Sequence, residues 1–197
     1  NPFFLAMLGS ITRQCANRGI DLLISFQKME DDWHVRYQDS HRADGLILLG
    51  YGDWQIYSER LEQLRRQGTC FARWGSVSSD ASGATIGSDN VGAGRLAGEH
   101  LLAAGRRHIA FLGHADDHYP EFAARYRGLG LAMQEAGIVP DRSLQHDAIT
   151  TEEAGHAAAL ALIASGVPFD AVFAGSDLIA IGALRALSES GRRVPAD

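Results

Sequence analysis

The side chains best suited to chemistry lie between residues 92 and 127 and at the ends of short apolar runs. His114-Ala115-Asp116-Asp117-His118 sets two imidazoles at i, i+4, a spacing that presents both to one metal when it lies on a helix. Here the segment follows a predicted strand and reads as a loop. The neighbouring His100 and His108 do not supply the converging third and fourth ligands that a zinc site requires. No metal is expected, and the segment reads as a polar loop at the mouth of a pocket. Asp116 and Asp117 are adjacent, so their side chains diverge and do not form an acid–base pair. Gly92-Ala93-Gly94-Arg95-Leu96-Ala97-Gly98 superficially matches a dinucleotide fingerprint. Its third glycine comes one residue late, and it falls inside a predicted helix instead of a strand-to-helix turn. Close helix packing is the expected role of these glycines. There is no Walker A loop and no Gly-x-Ser-x-Gly elbow. The chain is therefore not expected to be an enzyme, and no cofactor is expected.

A binding function is the better reading. Open α/β sheets hold ligands beyond the carboxyl ends of their strands. Those ends are predicted to carry Tyr51, Trp74, His114 and Ser176-Asp177. Aromatic rings give flat apolar faces, and charged groups hold hydroxyls by hydrogen bonds. Taken alone, Tyr51 and Trp74 fit equally well as ordinary partly buried aromatics. Arg125 and Arg127 share the helix predicted over 120–136. Two residues apart, they cannot share a face, so at most one points squarely into a cleft.

The elements that must position these groups alternate regularly. Helices are predicted over 2–18, 54–67, 90–104, 120–136, 151–165 and 177–190. Phe4, Leu8, Ile11 and Cys15 form the apolar stripe of the first. Strands are predicted over 21–26, 69–74, 108–113 and 170–174, with a short edge strand at Thr85-Ile86. Leu46-Ile47-Leu48-Leu49 reads as a strand covered on both faces. Thr150 with Glu153 forms a predicted capping box. Alternating strands and helices imply parallel βαβ units. The Ser/Gly-rich stretch 75–84 divides them into two subdomains, 1–87 and 88–197.

Bulk properties narrow the function further. The 197 residues are 46% hydrophobic and 21% charged, as in an ordinary globular protein. The formal charge of −6 argues against nucleic-acid binding by this segment. The small basic clusters Arg65-Arg66, Arg106-Arg107 and Arg192-Arg193 lie near predicted helix ends, where they complement the helix dipole. Cys15 and Cys70 lie among apolar neighbours and read as buried free thiols. No apolar run is long enough to span a membrane.

Several segments together resemble the LacI/GalR family of bacterial transcription regulators. They are Asn1-Pro2-Phe3-Phe4 with Gly19-Ile20-Asp21-Leu22; Ala43-Asp44-Gly45-Leu46-Ile47; and Asp89-Asn90 through Gly105-Arg106-Arg107-His108-Ile109-Ala110. Arg125-Tyr126-Arg127-Gly128-Leu129, Ala171 through Asp177 and Gly191 through Asp197 complete the set. They follow the family's order across nearly the whole chain. The resemblance implies two Rossmann-like parallel-sheet subdomains of the periplasmic-binding-protein-like type I fold. Against that fold the chain is expected to be incomplete, without a first strand before Asn1 and without the last strands after Asp197. It also implies a small-molecule effector, typically a sugar or nucleoside, held between the lobes. Closure would control operator DNA binding through a helix-turn-helix outside this sequence, in a cytoplasmic homodimer.

Carried over by position, the implied ligand-binding residues are Phe3, Phe4, Trp74, Ser88, Asp89, Arg127, Ser176 and Asp177, with Arg125 a weaker candidate and Tyr51 added from its strand-end position. Two residues depart from the pattern: Cys70 stands where proline is usual, and Arg73 where an apolar residue is usual. The alternative reading is a periplasmic sugar-binding protein feeding an uptake transporter. A third is an enzyme on the same scaffold, since fold does not determine function.

Overall fold

The computed structural model describes residues 2–26, 42–49, 54–76 and 84–196. It divides into two compact units, Asn1–Gly87 and Ser88–Asp197. Tyr51 and the polar stretch 27–41 lie outside the described residues.

The first unit contains α1 (Pro2–Asn17), β1 (Leu46–Leu49), α2 (Trp54–Arg66), β2 (Phe71–Trp74) and β3 (Ala84–Ile86). Its three strands are parallel, in the order β1-β2-β3. The apolar stripe of α1 is visible in its burial: Phe4, Leu8, Ile11 and Cys15 are half-buried, while Phe3 and Leu5 are exposed. The core gathers Tyr57, Leu61 and Leu64 of α2 against Leu46, Leu48 and Phe71. Successive strand residues face opposite sides of a sheet, so Leu46 and Leu48 turn toward α2 and Ile47 turns away.

Three sequence-based expectations are corrected in this unit. β1 is not covered on both faces, since Ile47 is 49% exposed. Residues 21–26 form no strand; a strand exists only through its ladder, and neither edge of the described sheet pairs with them. Cys70 is exposed and Cys15 only half-buried, because β2 begins one residue after Cys70. Arg73 fills a buried apolar position at 1% exposure. Its guanidinium lies 4.8 Å over the Trp54 ring, and Nη2 donates to the Ser76 carbonyl at 3.0 Å.

The second unit contains α3 (Asn90–Ala103), β4 (Ile109–Leu112), α4 (Pro120–Glu135), a 3-10 turn at Arg142–Leu144, β5 (Gln145–His146), α5 (Glu152–Ser165), β6 (Ala171–Ala174) and α6 (Asp177–Glu189). The strands are parallel, in the order β5-β4-β6. All four residues of β4 are buried, so both faces of this sheet are covered. Phe111 meets Tyr126 of α4 and Phe173 of β6, with ring centroids 5.1 and 5.4 Å apart. At the entry to β4, the Asp170 carboxylate accepts from the backbone N–H groups of Arg107 (2.8 Å) and His108 (2.9 Å). This clamps the start of β4 to the start of β6.

The helices of this unit pair through glycine. A Cβ on Gly94 of α3 would overlap the Arg125 carbonyl of α4, and one on Gly128 would overlap the Val91 carbonyl of α3. Gly155 of α5 and Gly182 of α6 repeat the device. The glycine-rich run at 92–98 is therefore a helix-packing surface. β5 has no counterpart among the predicted strands, being two residues long with no apolar run of its own. The cap of α5 falls one residue later than predicted: Thr151 accepts from the Ala154 N–H at 3.1 Å. Among the described residues no helix is long and apolar enough to cross a membrane.

Candidate functional site

In the second unit β4 is central, and the chain leaves it for β5 on one side and later β6 on the other. This reversal is a topological switch point, where open α/β sheets form a crevice at the carboxyl ends of the strands. The residues there follow directly from the ladder. Gly113 donates to the His146 carbonyl at 2.9 Å, and Gly175 to the Leu112 carbonyl at 2.8 Å. Gly113 has φ +155°, a backbone setting that glycine adopts without strain, and it turns the chain into the loop that carries His114. The three strands thus deliver His114, Asp147 and Ser176-Asp177 to one end of the sheet.

Arg125 is tied to this end. Its guanidinium donates to the Gly175 carbonyl, and Nε donates to Oδ1 of Asn90 at 2.9 Å. Asn90 is itself buried and donates to the Ser88 carbonyl at 3.1 Å. Burial lowers the Arg125 pKa from its ordinary value, and the Glu121 and Asp177 carboxylates oppose that shift. One arginine therefore joins α4, the start of α3 and the β6–α6 turn. Arg127, two residues on, is exposed, and its side chain enters no hydrogen bond or ion pair among the described residues. The spacing rule that kept the two apart holds: the structure anchors Arg125 and leaves Arg127 at the surface.

The other candidates divide between structural work and availability. Asp89 caps α3, accepting from the Gly92 N–H at 2.8 Å, and Ser88 beside it is exposed. Ser176 caps α6 through the Ile179 N–H at 3.4 Å. Asp177, in the first turn of α6, is exposed. In the first unit, Phe3 meets Phe4 edge-on at 5.6 Å and meets Trp74 at 5.5 Å. Three aromatic candidates thus form one cluster at the carboxyl end of β2. A surface depression of about 300 Å³ elsewhere in this unit is lined only by Glu59, Glu62, Gln63, Arg66 and Gln67 of α2 and its end. There Glu62 pairs with Arg65 and Arg66 at 2.7 and 3.0 Å, so no chemistry converges on a ligand.

Sequence reasoning missed Asn90, Gln145 and Asp147. Asn90 had a faint signal, as a polar residue immediately after a helix cap. Gln145 and Asp147 had none, because they lie in and just after an unpredicted strand. Gln145 Nε2 donates to the Gly113 carbonyl and to Asp147 Oδ1, both at 2.8 Å, which fastens the β4 and β5 ends together.

Comparison with known proteins places this architecture. Residues 99–197, half of the chain, match the family described as periplasmic binding protein-like domain. The transcriptional regulator CelR of Thermobifida fusca is 39% identical over 198 residues, covering 100% of this chain and 58% of the relative. The transcriptional repressor PurR of Edwardsiella ictaluri (strain 93-146) is 30% identical over 200 residues, with the same coverage. The chain thus spans 58% of the length of these curated relatives. Among solved structures, a putative LacI transcriptional regulator from Bacillus cereus subsp. cytotoxis NVH 391-98 superposes with a TM-score of 0.88 at 28% identity, over 100% of this chain and 70% of that one. A CelR–cellobiose complex superposes at 0.87 and 28% identity, over 100% and 60%. These matches agree with the parallel two-unit α/β architecture and the switch-point crevice: the chain belongs to the periplasmic binding protein-like domain family, on its LacI-type branch.

Proposed function

We propose that this chain is the effector-binding region of a bacterial transcription regulator that senses a sugar or nucleoside. It acts as a cytoplasmic homodimer, and ligand-driven closure of its two lobes, 1–87 and 88–197, alters operator binding by a helix-turn-helix outside this sequence. It is not an enzyme. The observation that carries this reading is the seating of Arg125. Its half-buried guanidinium is fastened at the switch point by the Gly175 carbonyl and Asn90, and the Glu121 and Asp177 carboxylates are near enough to favour its charge. A guanidinium and a carboxylate at the same strand-end crevice suit a polyhydroxy ligand, whose hydroxyls accept from the first and donate to the second. Within the first unit, Phe3, Phe4 and Trp74 present flat apolar faces of the kind that sugar rings stack on. Arg125 takes the ligand-contacting role in preference to Arg127.

The regulators CelR and PurR support this reading over the transporter alternative, and the CelR–cellobiose complex makes cellobiose the first probe. Calorimetry on the full-length protein with cellobiose, ribose and adenosine tests it. One of them is expected to bind, and Arg125→Ala should weaken binding by about 1.5–3 kcal/mol, as expected for a lost hydrogen bond to a charged group. Arg127→Ala should leave binding nearly unchanged. An affinity that survives Arg125→Ala and Asp177→Ala would defeat the site assignment. A signal peptide encoded upstream of Asn1 would defeat the regulator reading.

A further inference from the structure

His114 lies just beyond β4, and Asp147 just beyond β5. The register Leu112↔His146 brings Gly113 level with Asp147, so the two side chains meet across the strand ends. The loop then folds Asp116 onto the same point. His114 Nδ1 is 3.4 Å from Asp116 Oδ2 and 3.6 Å from Asp147 Oδ1, and the three ligand atoms lie within 4.8 Å of one another. That Nδ1 is buried and has no hydrogen-bond partner. A buried ring nitrogen without a partner is costly, and here it faces two carboxylates.

We propose that His114, Asp116 and Asp147 bind a divalent transition-metal cation of the zinc type. Bonds of about 2.1 Å in a tetrahedral arrangement place ligand atoms about 3.4 Å apart, close to the two His114–carboxylate separations. An imidazole with two carboxylates offers one nitrogen and a net charge of two negatives, a donor set that suits zinc better than the all-oxygen shells of calcium and magnesium.

The outer contacts support the same role. His114 stacks on Tyr119 with ring centroids 4.1 Å apart and 22° between planes, which holds the imidazole in place. Gln145 Nε2 orients the Asp147 carboxylate from 2.8 Å. The His118 N–H holds Oδ1 of Asp116 at 3.0 Å, which leaves Oδ2 turned to His114. Such supporting hydrogen bonds fix the ligand geometry of metal sites. His118 thus contributes its backbone and not its ring. The i, i+4 spacing to His118 gave no sign of Asp147, which comes from another strand. Three protein ligands leave coordination positions for water or a ligand hydroxyl.

This inference stands apart from the effector reading and is tested with metal alone. Full-length protein is stripped with chelator and titrated with zinc chloride by calorimetry, then with cobalt chloride by visible absorption. The expected result is one zinc per chain, with affinity reduced at least about tenfold in both Asp147→Asn and His114→Ala, and a cobalt spectrum that disappears in both. Asp147→Asn preserves the side chain's shape, so it reports even where His114→Ala misfolds. Zinc binding that is absent, or equal in the parent protein and Asp147→Asn, overturns the proposal.

Discussion

Substituting Gly94 with alanine tests whether the α3–α4 contact sets the position of Arg125. The new Cβ would overlap the Arg125 carbonyl oxygen and lie 2.7 and 2.8 Å from its carbonyl carbon and Cα. Ordinary carbon contacts are about 3.5–4.0 Å, so the helices must separate by roughly 1 Å. Overpacking of this kind costs about 1–3 kcal/mol. The obstacle is backbone with no flexible end to yield, so we take about 3 kcal/mol. Alanine's better helix propensity returns about 1 kcal/mol, for a net loss of about 2 kcal/mol. Gly128→Ala meets the Val91 carbonyl and the Arg95 nitrogen in the same manner and should cost a similar amount. Once one substitution has parted the helices, the second clash is already partly relieved. The double variant should therefore lose less than the sum of the singles, by about 1 kcal/mol or more. Urea unfolding followed by circular dichroism measures all three. Gly9→Ala serves as the control: it lies in α1 with nothing within 4 Å and should stabilise by about 0.5–1 kcal/mol. Gly94→Ala should also weaken effector binding, since it displaces Arg125 without touching a ligand. A Gly94→Ala protein as stable as Gly9→Ala, or strict additivity in the double variant, would refute the reasoning.

Two further outcomes follow from local features. Thr151→Ala removes the α5 cap and should cost about 1 kcal/mol, whereas Thr150→Ala should stay within about 0.5 kcal/mol of the parent; equal losses in urea unfolding would restore the capping box at Thr150. Burial pushes the Tyr57 phenol from 10.0 up to about 12, so the folded state holds that proton more tightly. Its contribution to stability is complete below pH 10 and is lost as pH rises toward 12, a loss that Tyr57→Phe should flatten when alkaline unfolding is tracked by tyrosinate absorbance.

The first two helical stretches and the four of the second unit were legible because apolar spacing, capping residues and terminal glycines act within one or two turns. Gly19, Gly105, Gly137, Gly166 and Gly191 each have a positive φ just past a helix, where the local sequence places a stop. In the second unit β4 and β6 were legible as apolar runs, whereas β5, a polar pair, was not. The run at 46–49 was readable as a strand but not as a half-exposed one, since exposure depends on what covers the second face. The run at 21–26 fails as a strand for the related reason that pairing is a property of two segments.

The candidate site divides along the same line. Strand-end position offered Trp74, Ser176 and Asp177 as candidates, while Phe3, Phe4, Arg127 and the weaker Arg125 came from the family resemblance. Tertiary structure decided which arginine is anchored, because only the close approach of α3 and α4 and the position of Gly175 give the Arg125 guanidinium its partners. It also brought Asp147 beside His114. A sequence spacing records neighbours along one segment, whereas the β4–β5 register joins residues 33 positions apart. Local energetics therefore set the elements of this protein, and the convergence of strand ends set which of its polar groups can act together.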